Sequence, residues 1–316
     1  MSDVEESAIS DVWTDIHRND AFVAGSHDGR IAVFSIAGRQ LSRPLVNVPE
    51  GRTPSVALHP IQEVLVISVF EEMSVTAYEW SGRRLWRRTG LRDIASVAFS
   101  GPDYLLVHLW NGRWMLLNAT NGESVTSGDG IEEVGSDSAV AIAILIKARP
   151  KSSRKEVVYY DTERRVTLLS TGVDIASSPR EVTFGSGWLA MTENRLGTVT
   201  ALRPDGSVAW RYVPEGDPVT SPILKDQEST CYFARLCAVQ CGNVLFGMRR
   251  SKFSGMGSAR AMFFDGLTGA EVRNVETDSW RLSLSPMADG RVLVARDGML
   301  HLPELVWEPR CLRITP

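Results

Sequence analysis

Residues 196–212, LGTVTALRPDGSVAWRY, read as two short strands joined by a tight turn. Val199, Ala201 and Leu202 fall in the first strand, Val208 and Trp210 in the second, and Pro204, Asp205 and Gly206 between them. Proline presets φ for the first turn position, aspartate can bond its own backbone, and glycine takes positive φ without a Cβ clash. The hairpin recurs along the chain. Aligned on its turn, further copies stand at residues 35–39, 79–83, 119–123, 161–165 and 266–270, with a last and weaker one at 307–310. The copy at 161–165, DTERR, lacks the glycine. The spacing is roughly 40 to 44 residues, with one gap of about 60 before Gly269, and such a period is what a four-stranded propeller blade needs.

Each unit resolves into four strands, a to d. Strand a is represented by 54–59, 95–100 and 181–185. Strand b falls at 22–25, 64–69, 104–109, 139–146, 188–191, 244–248 and 292–295. Strand c falls at 31–35, 74–80, 114–118, 156–161, 198–202, 261–265 and 299–302, and strand d is the second half of the hairpin. These runs are short and β-branched, with turn residues every 8 to 12 positions or so, as in an all-β fold. The b strands are nearly continuous apolar runs, which fits burial on both faces. One such sheet cannot hide both faces alone, but sheets stacked radially cover each other. The expected fold is therefore an all-β, seven-bladed β-propeller of four-stranded antiparallel blades, at approximately 8–47, 52–90, 93–130, 134–172, 180–214, 218–276 and 279–316. Residues 8–16 are expected to supply strand a of the first blade; how the first and last blades meet is left open.

Composition removes several function classes. The 316 residues are 43% hydrophobic and 23% charged, ordinary values for a soluble globular chain. A net charge of −4 carries no signature of a large nucleic-acid footprint. The acidic N-terminus does not read as a secretory signal, and the longest apolar run, 139–146, is too short to span a bilayer. Cys231, Cys237 and Cys241 are clustered and Cys311 is remote, which is not a disulfide framework. A strand holding the first three would space them too far apart for one metal ion, so buried thiols in a reducing cytoplasm are expected.

GTVTALRPDGSVAWRY resembles the repeat of quinoprotein-like (PQQ-like) propellers, in which one glycine opens strand c, another closes the c–d turn and a tryptophan lies on strand d. HDGRIAVFSIAGRQL, WSGRRLW and NGESV are looser copies. SVALHP, with Asn111-Gly112 opening a later strand c, is similar to the WD40 repeat. The Trp-Asp pair of WD repeats is absent from every strand c, and the adjacent cysteines and eight blades of quinone-binding enzymes are missing. The resemblance therefore implies the propeller and no cofactor, and it implies a platform for other proteins rather than an enzyme.

Two insertions break the repeat between strands b and c: 147–155 (KARPKSSRK) in unit four and 249–260 (RRSKFSGMGSAR) in unit six. Antiparallel strands alternate direction, so all b–c and d–a connections emerge on one face of the disc. Lys147, Arg149, Lys151, Arg154, Lys155, Arg249, Arg250, Lys252 and Arg260 then form a local basic patch that can steer an anionic partner. Phe253 and Met256, among small residues of the second insertion, are candidate anchors, as is Trp110 at a loop tip beside Asn111-Gly112. Trp80, Trp86, Trp114, Trp188 and Trp210 lie on strands and are expected in the core. The five histidines show no metal-ligand spacing. His108 reads as a packed core residue, and His59, alone among them, ends a strand a, where a channel site would need ligands. No phosphate loop, nucleophile elbow or zinc-protease motif is present. The expected function is a non-enzymatic scaffold, without cofactor or metal, docking another protein with an acidic surface on the b–c face. A hydrolase or lyase in the central channel, and phosphate or nucleic-acid recognition by the basic loops, are the alternatives.

Overall fold

The computed structural model describes residues 9–26, 29–37, 39–42, 45–48, 54–69, 72–148, 154–175, 179–185, 188–193, 198–213, 234–239, 243–251, 257–277, 282–288, 292–296 and 299–301. Their strands form seven antiparallel sheets. The first holds β1 (Ile9–Trp13), β2 (Ala21–Ser26), β3 (Arg30–Ser35) and β4 (Val46–Asn47). The second holds β5 (Pro54–Leu58), β6 (Val64–Val69), β7 (Ser74–Glu79) and β8 (Arg84–Thr89). The third is β9 (Ile94–Ser100), β10 (Tyr104–Leu109), β11 (Trp114–Asn118) and β12 (Ser124–Gly128). The fourth is β13 (Ile131–Asp137), β14 (Val140–Ala148), β15 (Arg154–Asp161) and β16 (Val166–Asp174). The fifth is β17 (Pro179–Gly185), β18 (Trp188–Glu193), β19 (Thr198–Leu202) and β20 (Val208–Tyr212). The sixth is β21 (Ala234–Val239), β22 (Asn243–Ser251), β23 (Gly257–Asp265) and β24 (Glu271–Thr277). The seventh shows β25 (Leu282–Pro286), β26 (Val292–Arg296) and β27 (Met299–His301).

Strand order within every sheet follows the sequence. The first strand of each sheet neighbours the first strand of the next, and β25 returns to β1, so the seven sheets close into a ring around the first strands. This is the seven-bladed propeller. β1 pairs with β2 as the inner strand of blade one. It meets blade seven through side chains: the Val12 amide donates to Ser283 Oγ at 3.2 Å and the Thr14 amide to Ser285 Oγ at 2.8 Å. The Ala288 amide donates to the Arg18 carbonyl at 2.9 Å.

The cores lie between blades, not within them. Trp13, Val33 and Trp80 join blades one and two, and Trp86, Leu105 and Leu117 join blades two and three. Leu116, Trp114 and Val158 join blades three and four. The second strands β2 and β6 are buried along their whole length, as their nearly continuous apolar runs lead one to expect. Trp80, Trp86, Trp114, Trp188 and Trp210 are all buried.

The c–d turns show why the hairpin recurs. The Gly206 amide donates to the Arg203 carbonyl at 2.9 Å, Gly206 sits at φ 84°, and the Ser207 amide donates to Asp205 Oδ1 at 2.9 Å. The pairing slips by one residue between Ala201 and Leu202, which makes a tight turn with a glycine bulge. In the copy without glycine, Arg165 takes φ 62° itself, and Asp161 Oδ1 accepts from the Glu163 and Arg164 amides to hold the turn. The turn glycines also clasp neighbouring blades. Gly122 of blade three lies against the Trp86 ring of blade two, whose Nε1 donates to the Ala119 carbonyl at 2.8 Å. Gly269 of blade six lies against Trp210 of blade five, whose Nε1 donates to the Gly266 carbonyl at 2.8 Å.

Candidate docking surface

Both sequence insertions are in part strand rather than loop. β14 and β15 stay paired through Lys147↔Glu156 and Ala148↔Lys155, and β22 and β23 through Arg249↔Ala259, Arg250↔Ser258 and Ser251↔Gly257. The added residues lengthen two b–c hairpins beyond the rim of their blades, because nothing in either stretch stops the ladder until glycine or proline appears. Lys147, Arg154 and Lys155 thus sit on paired backbone, as do Arg249 and Arg250. Arg149, Lys151, Lys252, Phe253 and Met256 lie outside the described residues, as do Cys231, Cys241 and Cys311; Cys237 lies on β21.

Among the described residues, Trp110 is an exposed aromatic on this face, at 54%. Its turn is rigid. The Gly112 amide donates to the Leu109 carbonyl at 2.9 Å, the Arg113 amide to Asn111 Oδ1 at 3.1 Å, and the Trp110 amide to the Asp93 carbonyl at 2.7 Å. The Gly112 carbonyl in turn accepts from the Ile131 amide at 2.9 Å, and Ile131 is the cross-strand partner of Lys147. The fold therefore ties the Trp110 turn of blade three directly to the base of the blade-four hairpin. The blade-six hairpin stands two blades away on the same face.

The charge of the blade-four hairpin is smaller than its sequence suggests. Lys155 Nζ lies 2.7 Å from Glu132 Oε1, with both side chains largely buried. It is a structural ion pair between β13 and β15. Glu156 accepts from Ser170 Oγ on β16, and Arg113 Nε is 3.3 Å from Asp129 Oδ1 at the rim. Among the described cations of this hairpin, Arg154 is exposed and Lys147 half-buried. Beneath the surface, His108 is 2% exposed, its Nδ1 3.5 Å from Glu133 Oε1. His108 is packed in the core as its apolar neighbours predict, but the carboxylate facing it was not visible from the sequence.

The opposite face holds a cluster that the sequence did not single out. His17 follows β1 and Asp137 ends β13, yet His17 Nε2 and Asp137 Oδ1 are 2.7 Å apart. Blades one and four are not neighbours, so this pair crosses the mouth of the central channel. Its hydrogen bond to Asp137 raises the His17 imidazole above the usual histidine range. Burial pushes the Asp15 carboxyl up, partly offset by a hydrogen bond from Ser138. The only sequence trace of this is that Asp15 and Asp137 occupy matching turns, each accepting from the amide two residues on at 2.8 Å. His59 caps its own turn: Nδ1 accepts from the Ile61 and Gln62 amides at 3.1 and 3.0 Å. Burial lowers its affinity for a proton. Among the described residues, no three His, Cys, Asp or Glu side chains converge as a metal site.

No protein-family model matches the chain, and no curated protein sequence does so significantly. Solved structures do. The chain is similar to the WD40 repeats of RRP9, with a TM-score of 0.67 at 14% identity over 92% of this chain and 87% of that one. Against U3-55K the TM-score is 0.66 at 14% identity, over 92% of this chain and 88% of that one. Against the computationally designed Ika8 protein it is 0.58 at 16% identity, over 92% and 82%. The fold is a WD40-like propeller. At these identities the likeness speaks for the fold alone.

Proposed function

We propose that the protein is a non-enzymatic interaction platform whose partner docks on the b–c face, around Trp110 and the β14–β15 hairpin, and presents an acidic surface there. One observation carries the reading: an exposed tryptophan on a turn braced by three backbone hydrogen bonds, tied to a hairpin that presents Lys147 and Arg154. A rigid aromatic loses little entropy on binding, and tryptophan and arginine are enriched among residues that dominate binding energy. The cations add steering and specificity toward a partner of opposite sign. The tryptophan–glycine clasps between blades support the quinoprotein-like side of the resemblance as an architectural likeness.

Affinity capture with wild type, Trp110→Ala and the quadruple variant Lys147→Glu/Arg154→Glu/Arg249→Glu/Arg250→Glu tests the proposal. The expected result is a saturable partner whose affinity falls at least about thirtyfold with Trp110→Ala. The quadruple variant loses it more steeply at low salt than at high salt. A partner held equally by all three proteins would refute the assignment of this face.

A further inference from the structure

Residues 14–18, which join β1 to β2, touch more of the ring than a connection between paired strands requires. On one side they bind blade seven. The Thr14 amide donates to Ser285 Oγ at 2.8 Å, the Thr14 hydroxyl to the Pro286 carbonyl, and the Ala288 amide to the Arg18 carbonyl at 2.9 Å. On the other side they bind blade two, where Arg18 donates to the His59 and Gln62 carbonyls at 3.1 and 2.7 Å. Between these ties the chain reaches across the channel. Half-buried Ile16 packs on the apolar core that joins blades five and six, to which Trp188 and Phe264 belong. His17 Nε2 meets Asp137 Oδ1 of blade four at 2.7 Å, and buried Asp15 is hydrogen-bonded to Ser138 beside it. The backbone partners on blades two, four and seven lie in or beside a–b turns, so one short segment spans the channel mouth on the face opposite Trp110.

The two sides are held by different chemistry. The ties to blades seven and two use backbone groups, hydroxyls and a guanidinium, none of which titrates near neutral pH. The tie to blade four is ionic. Among the described residues, the charged groups that face His17 are Asp137 of blade four and Asp15 of its own segment. Arg18 turns to blade two and pairs with Asp20 at 2.6 Å, and His59 lies beyond it with Nδ1 engaged in its own turn. Asp137 is itself fixed: its carbonyl accepts from the Gly101 amide of blade three at 3.0 Å, and its Oδ1 from the Ala139 amide at 2.8 Å. The bond to Asp137 raises the proton affinity of His17, and burial raises that of Asp15. Once the His17 proton leaves, two carboxylates face each other across a neutral ring, and the remaining hydrogen bond has lost its cationic donor.

We propose that residues 15–17 form a flap over the channel mouth, hinged on blades seven and two and latched on blade four, which stays shut while His17 is protonated and is released when that proton leaves. The hinge follows from position: blades seven and two flank blade one, from which the segment starts, whereas blade four stands across the channel. The latch is the one tie whose charge changes with pH near neutrality. The docking face around Trp110 takes no part in it.

Amide hydrogen exchange on the full chain at about pH 6 and about pH 9, with rates corrected for their intrinsic pH dependence, tests this. The His17 and Arg18 amides, whose acceptors are both on Asp15, should lose protection at least about tenfold at the higher pH. Amides of the β10–β11 ladder should keep theirs, which separates release of the flap from unfolding of the ring. His17→Gln keeps a hydrogen-bond donor but cannot carry the charge, so its flap should show the weaker protection at both pH values. Asp137→Asn should behave in the same way. In wild type, the nitrogen-15 shifts of the His17 imidazole should titrate over the range in which protection falls. Flap protection unchanged between the two pH values, a loss shared by β10 and β11, or a pH dependence that survives in His17→Gln would each overturn the proposal.

Discussion

Gly122→Ala tests whether the tryptophan–glycine clasps hold the blades together. Gly122 sits at φ 72°, and a Cβ there would stand 2.6 Å from Trp86 Cε3 and 2.8 Å from Cδ2. The left-handed backbone costs an L-residue about 1–2 kcal/mol. The ring cannot yield freely, because Trp86 is buried and its Nε1 is bonded to the Ala119 carbonyl. Pushing it aside costs about 1–3 kcal/mol of overpacking and about 1 kcal/mol for the hydrogen bond. The sum is about 3–6 kcal/mol. Gly90 provides the control: its φ is 79°, and a Cβ there meets nothing within 4 Å. Gly90→Ala should cost only the backbone part, about 1–2 kcal/mol. Thermal unfolding followed by far-UV circular dichroism and tryptophan emission reads the difference. At about 2–4 °C per kcal/mol, Gly122→Ala should melt roughly 6–24 °C below wild type and Gly90→Ala only about 2–8 °C below it. Equal losses in the two variants would mean that the ring relocates without penalty, and the clasp would then contribute nothing beyond the geometry of its turn.

Further outcomes follow from the charged groups. Hydrogen bonding to Asp137 raises the folded-state proton affinity of His17 above its ordinary value of 6.5. That contribution is fully present below pH 6.5 and is lost as pH rises through the folded value, so the melting temperature should fall as pH rises past 6.5, and Asp137→Asn should flatten the fall. Arg18→Lys should destabilise by about 2–3 kcal/mol in urea unfolding. Arg18 sends one nitrogen to the His59 and Gln62 carbonyls of blade two at 3.1 and 2.7 Å, two others to Asp20, and stacks 4.5 Å over Trp80. A lysine keeps one of these sets at most. Trp110→Ala should leave the melting temperature within about 1–2 °C of wild type while removing partner capture, since its side chain is exposed.

Much of the architecture was legible because propeller blades are local objects. A turn such as Pro204-Asp205-Gly206 sets its own hairpin, and period-2 or continuous apolar runs set the faces of each strand, all within about 40 residues. Seven copies then have one way to hide their apolar faces. Core tryptophans were predictable for the same reason: Trp86 and Trp210 recur at one position after the turn glycine. The copy at 161–165 lacks the glycine, and there Arg165 takes the left-handed conformation.

The surface was less legible, because charge in a sequence carries no sign of what neutralises it. Lys155 belongs to a basic run, yet Glu132, from a strand one hairpin earlier, claims it. The run 147–155 has the composition of a loop, rich in lysine, arginine and serine; in part it extends a ladder, since backbone pairing is indifferent to side chains that point to solvent.

Chain order and local chemistry thus determined the module, its count and the side of the disc on which each connection emerges. Ring closure determined the rest. His17 meets Asp137 across 120 residues, and β1 meets β25 through Ser283 and Ser285. Such contacts depend on where non-neighbouring blades arrive in space, which no repeat carries in its own residues.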